Sequence, residues 1–193
     1  MTEEQKFFGA GRSSFGFVDV DRVLQALSLT PSTVFLDIGC GRGDYSLAAA
    51  EVIGRGGRVY GVDGWKEGLG DLERRASARG LDNVVTIRAN LNEHIPLEDR
   101  TVDVCLMATV LHDLLRETSG DAALNEIVRV LKPGGRLAVI EFQKIENSPG
   151  PPLSVRLLPE ETEEVITPFG FIREQVIEVG SFHYLFTASL PGR

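Results

Sequence analysis

The sequence predicts an α/β fold: a seven-stranded, mostly parallel sheet between helical layers, ending in an antiparallel hairpin. Three observations predict it. Short apolar runs alternate with helix-like segments from Val34 to Phe142, glycine or proline closes most of those segments, and the last two strand-like runs are separated only by Gly180-Ser181. Such alternation implies βαβ units with right-handed crossovers. A two-residue connection containing glycine implies an antiparallel pair.

After a polar, glycine-rich arm (residues 1–17), Val20, Val23, Leu24 and Leu27 recur at helical spacing, and Thr30-Pro31 closes that helix. Val34-Phe35-Leu36 is too short for a helix and enters a glycine cluster, so it reads as the first strand. Asp44 is a residue type favoured at helix N-caps, and Tyr45–Ile53 then reads as a helix stopped by Gly54. Arg58–Val62 is a strand, Lys66–Arg79 a charged helix ended by Gly80, and Val84–Arg88 and Val102–Met107 are two further strands. Ala122–Leu131 is a helix stopped by Lys132-Pro133-Gly134-Gly135, and Arg136–Phe142 is the fifth strand. A Pro/Gly loop at Ser148–Pro152 precedes an acidic-first helix that starts at Pro159 and runs towards Phe169 and Gly170. Phe171–Val179 and Phe182–Leu190 form the hairpin. With no internal repeat and no linker, residues 18–193 read as a single domain.

Composition narrows the function. At 193 residues the chain is long enough to bury roughly 70% of its unfolded surface without staples. Its 42% hydrophobic and 25% charged residues are those of an ordinary globular protein. The net charge is −8 and the 20 Lys and Arg are scattered, so no basic footprint for displacing counterions from phosphates is present. Nucleic acid and anionic membrane surfaces are therefore poor partners, and a small or neutral substrate is expected. The two cysteines, Cys40 and Cys105, lie in apolar or glycine-rich strand contexts, which predicts reduced, buried thiols and neither a disulfide nor a metal site. No apolar signal core and no run of about 20 apolar residues occurs, so no membrane segment is expected and the cytoplasm is the default compartment. A monomer or homodimer is expected.

The sharpest signal is Leu36-Asp37-Ile38-Gly39-Cys40-Gly41-Arg42-Gly43-Asp44 at the tip of the first strand. Glycines there allow a tight turn and let a ligand approach backbone with no Cβ in the way. Asp63 ends the second strand, Val59-Tyr60-Gly61-Val62, where a carboxylate faces a ribose in doubly wound sheets. The pair implies a cofactor containing adenosine. In a dinucleotide fingerprint the sixth position would be glycine and the helix start would hold a pyrophosphate. Here that position is Asp44, whose carboxylate would repel pyrophosphate, and Asp37 precedes the loop. A cofactor with an α-amino group, a sulfonium and no phosphate fits these charges, which favours S-adenosyl-L-methionine over a nicotinamide or flavin.

With LDIGCGRG (36–43), VYGVD (59–63), VTIRANL (85–91), DVCLMATVLHDL (103–114) and LKPGGRLAVIEF (131–142) in order, the chain resembles the class I S-adenosylmethionine-dependent methyltransferases, especially the small ones related to ubiquinone/menaquinone biosynthesis. The resemblance runs from about Val20 to Leu190. It implies a Rossmann-like three-layer sandwich whose terminal hairpin carries the reversed seventh strand. It further implies that Gly39, Cys40, Gly41 and Gly43 hold the methionine part of the cofactor and that Asp37 meets its amino group, directly or through water. On the same grounds Asp63 takes the ribose hydroxyls, Asn90 and Leu91 lie against adenine, and Met107 and Ala108 present backbone to the methionine end. Two positions depart from the family pattern. Asn90 stands where an Asp is usual, although its amide oxygen can still accept from an adenine amino group. Gly64 stands where an apolar residue packs on adenine, and Trp65 is the substitute one position on. S-adenosyl-L-homocysteine would be the product.

Alternatives remain open residue by residue. Asn90 suits a plain turn and Trp65 plain packing. His112, just past the fourth strand, is either a general base for an acceptor that must lose a proton or a helix-start residue that packs. Glu141, closing the fifth strand, either lines the acceptor pocket or sits in solvent. The stretch Ala108-Thr109-Val110-Leu111 lacks the Asn/Asp-Pro-Pro-aromatic motif of enzymes that methylate DNA amino groups. The short segment between Gln143 and Leu158 leaves little room for an elaborate lid. Methyl transfer to a small-molecule acceptor is the expected function. A catalytically inactive cofactor-binding regulatory or scaffold module and a nucleotide-dependent oxidoreductase are the competing readings.

Overall fold

The computed structural model describes residues 11, 13–118 and 120–192. Its core is one seven-stranded sheet in the order β3-β2-β1-β4-β5-β7-β6. The strands are β1 (Val34–Ile38), β2 (Arg58–Asp63), β3 (Val84–Arg88), β4 (Val102–Ala108), β5 (Leu131–Phe142), β6 (Ile172–Gly180) and β7 (His183–Ser189). The first five are mutually parallel where they pair, and β7 runs antiparallel to both β5 and β6. The α/β class and the reversed last strand thus follow the sequence reading.

Helices cover both faces because β residues alternate sides along each strand. Leu36, Ile38, Cys105, Met107, Leu137 and Val139 face one side and pack on α4 (Leu111–Glu117), α5 (Asp121–Val130) and α6 (Pro159–Ile166). Phe35, Val59, Leu106, Ala138 and Ile140 face the other and pack on α1 (Val20–Leu27) and α2 (Asp44–Ile53). Leu72 and Ala76 of α3 (Lys66–Ala78) join Leu47 of α2 in a smaller cluster. Asp37 follows Phe35 by two residues and so points towards α2. That single register fact puts a carboxyl inside the protein.

Several boundaries differ from the sequence reading, each for a local reason. Asp44 is the first residue of α2 and Gly43, with φ of 72°, is its cap. α5 ends at Val130 because Leu131 is extended and begins β5, with Lys132–Gly135 bulging out between the Leu131 and Arg136 pairings. Pro133 lacks an N–H and disfavours helical geometry in the residue before it. The hairpin turn is Ser181-Phe182, since Gly180 still pairs with His183. The periodicity gives no bounds for α4, although His112 reads as a possible helix start, because its seven residues hold too little period to separate from the strand before them. In the arm, Phe15–Phe17 form a 3-10 turn and the Ser14 hydroxyl lies 2.9 Å from that of Tyr45 on α2. Residues 1–10 of the arm lie outside the described residues.

Candidate functional site

The chain turns one way from β1 to β3 and the other way from β4 onward, so a crevice opens beyond the C-terminal ends of β1 and β4, where ligands of open α/β sheets bind. The β1–α2 loop forms one wall. The Gly39 and Cys40 N–H groups both donate to the Val62 carbonyl, at 2.8 and 3.1 Å, which folds the loop back over the end of β2. Gly39, Gly41 and Gly43 have φ of 67°, 54° and 72°, left-handed values that cost other residues energy. Two of the three are packed tightly: a Cβ on Gly39 would lie 2.6 Å from Val110 Cγ2, and one on Gly43 2.4 Å from Leu72 Cδ1. A Cβ on Gly41 would meet nothing within 4 Å. Gly41 is therefore the bare face of the cradle.

Carboxylates surround that cradle. Asp63 accepts from the Gly41 N–H at 2.8 Å with Oδ2 and from the Trp65 N–H at 2.7 Å with Oδ1. Since an ionised carboxylate has about four acceptor positions, two remain for a ligand. Asp37 is 2% exposed and takes a 2.6 Å hydrogen bond from the Ser46 hydroxyl. Burial pushes its pKa from 3.8 up to about 7, the Ser46 bond opposes the rise, and the charges of Asp63 and Asp44 reinforce it. Asp44 is held by Arg75 at 2.7 Å. Among the described residues Asp37 has no cationic partner.

The other predicted cofactor residues gather along the same rim. Gly64 and Trp65 are half-buried after β2, and the Arg42 guanidinium lies 5.7 Å from the centre of the Trp65 ring. The Cys40 thiol points at the Gly41 carbonyl, 3.9 Å away, and burial pushes its pKa up, so it is inert packing. Met107 is buried and Ala108 half-buried at the end of β4. Asn90 is exposed and caps its own turn: Oδ1 accepts from the Asn92 N–H at 3.1 Å and Nδ2 donates to Glu93 at 3.1 Å. Leu91 beside it is half-buried.

Beyond β4 and β5 the crevice continues into a second group of side chains. Thr109 has φ of 58°, a left-handed value that is rare for a β-branched residue and characteristic of functional turns. Its N–H donates to the Ile140 carbonyl at 2.8 Å, which aims α4 across the end of β5. His112, 6% exposed, then meets the fully buried Glu141: Nδ1 lies 2.8 Å from Oε2, and its backbone N–H donates to Oε1 at 3.1 Å. Burial works against an imidazolium there, but the Glu141 hydrogen bond and the charges of Glu141 and Asp113 outweigh it, so the His112 pKa stands above the ordinary 6.5. Glu141 is accordingly no solvated strand end. Phe142 lies between the two histidines, with ring centres 5.9 Å from His112 and 4.5 Å from His183.

Sequence reading missed three contributors. Ser46 is hidden because nothing in a helix sequence marks which hydroxyl faces a neighbouring strand. Thr109 has no glycine to announce its positive φ. Arg156, 3% exposed, donates to the carbonyls of Pro151, Gln143 and Pro149 at 2.8, 2.9 and 3.1 Å and to Ser148 Oγ at 2.5 Å. The short 143–158 segment is thereby pinned over Phe142 by one guanidinium. At the other end of the strands, a depression of about 520 Å³ is lined by Leu27, Asp103, Lys132 and Arg136 among others. It contains none of these residues, and its cations are paired, Lys132 with Asp103 and Arg136 with Glu174, both at 2.6 Å.

A glycine cradle backed by an acid at the end of β2, on a sheet with the reversed strand β7, defines the class I methyltransferase architecture. Comparison with known proteins agrees. Residues 36–139 match the family described as "Methyltransferase domain", and the chain belongs to that family. It is 37% identical over 106 residues to a demethylmenaquinone methyltransferase from Geobacillus sp. (strain WCH70), covering 55% of this chain and 44% of that one. Over 118 residues it is 34% identical to a 2-phytyl-1,4-naphtoquinone methyltransferase from Trichormus variabilis, covering 61% and 50%. The chain thus spans about half the length of the curated relatives it matches. A SAM-dependent methyltransferase from Aquifex aeolicus shares the fold with a TM-score of 0.83 and 30% identity over 92% of both chains. The [4+2]-cyclase SpnF, at TM-score 0.74 and 23% identity, covering 89% of this chain and 79% of that one, shares the fold alone.

Proposed function

We propose that this protein transfers a methyl group from S-adenosyl-L-methionine to a small-molecule acceptor, with a hydroxylated ring of the reduced-quinone type as the acceptor favoured by the relatives' names. One observation carries the choice of cofactor. The Gly41 N–H, which in a dinucleotide loop would serve phosphate oxygens, is given to the Asp63 carboxylate at 2.8 Å. A second carboxyl, Asp37, is buried nearby with no cationic partner among the described residues. The cradle therefore repels phosphate and attracts an ammonium. Gly41 offers bare backbone to the methionine portion, Asp37 a counter-charge to its amino group, Asp63 its two remaining acceptor positions to the ribose, and Trp65 and Leu91 apolar faces to adenine. Asn90 can take an adenine amino hydrogen on the lone pair that Asn92 leaves free.

When bound, the cofactor supplies an electrophilic methyl on a sulfonium that departs as a neutral thioether. The chain's own task is mainly orientation, which is worth about 7–11 kcal/mol when reacting groups are held in line. The Thr109 turn and the Arg156-pinned segment border the acceptor side. Thermal melts with S-adenosylmethionine, S-adenosylhomocysteine and NADH test the reading. Ligand at 100 times its Kd adds about 2.7 kcal/mol. For a domain of this size that is roughly 5–10 °C. Stabilisation by the two sulfur nucleotides alone, lost in Asp63→Ala, is the expected result. Stabilisation by NADH alone overturns it. Cofactor binding without transfer of labelled methyl to reduced naphthoquinones or other small acceptors would make the protein a binding module.

A further inference from the structure

Two histidines are buried against Phe142, and only one is built to move a proton. His183 is 1% exposed, neither ring nitrogen has a hydrogen-bond partner among the described residues, and burial with the nearby Arg156 charge lowers its pKa to about 4. It stays neutral at physiological pH. His112 differs in every respect. Both oxygens of Glu141 are spent on this one residue, one on the ring and one on the backbone N–H. That double grip fixes the position of α4's first turn and the orientation of the ring together. It also fixes the tautomer: a carboxylate at Nδ1 places the hydrogen there, leaving Nε2 as the acceptor of the neutral ring. Nε2 faces Asp113 Oδ1 at 3.7 Å, too far for a hydrogen bond, and has no other partner among the described residues.

We propose that His112 Nε2 takes the hydroxyl proton of the methyl acceptor and that Glu141 is the positioning residue that holds and charges it for that step. This rests on the methyltransferase reading above and adds a residue role to it. In the step the acceptor's O–H bond breaks, the electron pair stays on oxygen, and an N–H bond forms at Nε2. The imidazolium so made is paired with Glu141, and its proton passes to solvent after product leaves. A carboxylate with no exposure is costly inside a sheet unless it is paired, because desolvation exceeds the Coulomb gain for anything but a close partner. A packing histidine would not require such a partner. The groups facing His112 are Glu141 on β5, Asp113 and Arg116 on its own helix, with Arg116 held 3.0 Å from Asp113.

The test uses a hydroxylated arene that needs no methyl transfer to report. 1-Naphthol is added to the full chain saturated with S-adenosylhomocysteine, at a pH below the ionisation of free phenols, which lies near 10 for tyrosine. Its absorbance distinguishes naphthol from naphtholate. Histidine labelled with nitrogen-15 reports the His112 tautomer and titration in the same samples. The expected result is a bound naphtholate signal in the wild type, abolished in His112→Gln and weakened in Glu141→Gln. His112 should show hydrogen on Nδ1 and titrate above 6.5, with Glu141→Gln lowering that value. Both variants should bind S-adenosylhomocysteine as the wild type does. With a quinol acceptor, His112→Gln should lower turnover about 10²–10⁴-fold. Probe bound only as neutral naphthol, probe not bound while the nucleotide is, or a naphtholate signal that survives His112→Gln each overturns the proposal. If His112→Gln does not fold, Glu141→Gln decides, since an unchanged titration and signal there refute the dyad. Failure of the wild type to bind S-adenosylhomocysteine would instead strike the cofactor reading.

Discussion

Asp37 makes the most demanding prediction, because one substitution should stabilise the protein and disable its cofactor site at once. Raising its pKa from 3.8 to about 7 means that ionised Asp37 costs the ligand-free fold about 4 kcal/mol. The sign follows from which state holds the proton. Below pH 4 the carboxyl is neutral in both folded and unfolded chains and costs nothing. Between pH 4 and 7 the unfolded chain releases the proton while the folded one keeps it, so stability falls as pH rises. Above 7 the full cost is present. Asn at this position keeps an oxygen for the Ser46 hydroxyl, 2.6 Å away, and cannot ionise. Asp37→Asn should therefore gain stability over the wild type from pH 4 to 7, by about 4 kcal/mol at most, read as the difference between urea midpoints at each pH. Taking the difference cancels the other groups, including His112, whose raised pKa also makes stability fall as pH rises, but from 6.5 upward. Binding should move the other way. If only ionised Asp37 pairs with the cofactor's ammonium, affinity for S-adenosylhomocysteine should rise about 15-fold between pH 5.5 and 7 in the wild type. Asp37→Asn should lose that dependence and about 2–5 kcal/mol of affinity at pH 7.5. Calorimetric titration reads both. A mutant less stable than the wild type at pH 7.5, or one with unchanged affinity, refutes the reasoning.

The remaining predictions concern the cradle and the pinned segment. Gly39→Ala should cost about 1–3 kcal/mol in chemical denaturation, from left-handed strain plus a Cβ 2.6 Å from Val110. Gly41→Ala, with nothing within 4 Å, should cost only the strain of about 1 kcal/mol yet weaken S-adenosylhomocysteine binding by tenfold or more, because its Cβ enters the space left for ligand. Arg156→Ala should speed limited proteolysis between residues 143 and 151 and lower stability by about 2 kcal/mol, because several carbonyls lose a charged donor. Unchanged cleavage there would show that Arg156 does not hold the segment.

How much of this was legible in the sequence divides along a physical line. The five parallel-type strands and the closing hairpin were readable because each is a short apolar run between polar, glycine or proline residues, and Asp63 could be placed because a strand end is fixed by its own run. The cradle glycines were readable for the same reason. What was hidden depends on which residues meet across the fold. Asp37–Ser46 spans nine positions and two elements, and His112–Glu141 spans 29. Both pairs required knowing which way β1 and β5 face. Asn90 shows the opposite limit: a residue whose family position suggested ligand contact also satisfies its own turn, and both uses are compatible with one amide. The bounds of α4 escaped because seven residues directly after a buried strand carry no separate period.

The fold by itself leaves the chemistry undecided, since a cyclase carries the same sheet. What narrows it here is charge. Three carboxylates converge on the β1–α2 loop, and among the described residues only Asp44 is neutralised by an arginine. The Asp63 carboxylate is tied to two backbone N–H groups, so it holds the loop in shape while keeping its charge next to Gly41. A neutral ligand would leave Asp37 protonated and the loop's negative potential unanswered. An anionic one would be driven off. A cationic ligand converts the cost of ionising Asp37 into binding strength, and that links the pH dependence of folding to that of binding. At the other end of the crevice the polarity reverses in purpose: Glu141 there already has its cation-to-be in His112, 2.8 Å away, and waits for a proton instead of an ammonium. In the proposed mechanism the two acids, on adjacent parts of one sheet, divide the site into a half that selects the cofactor by charge and a half that prepares the acceptor by removing a proton.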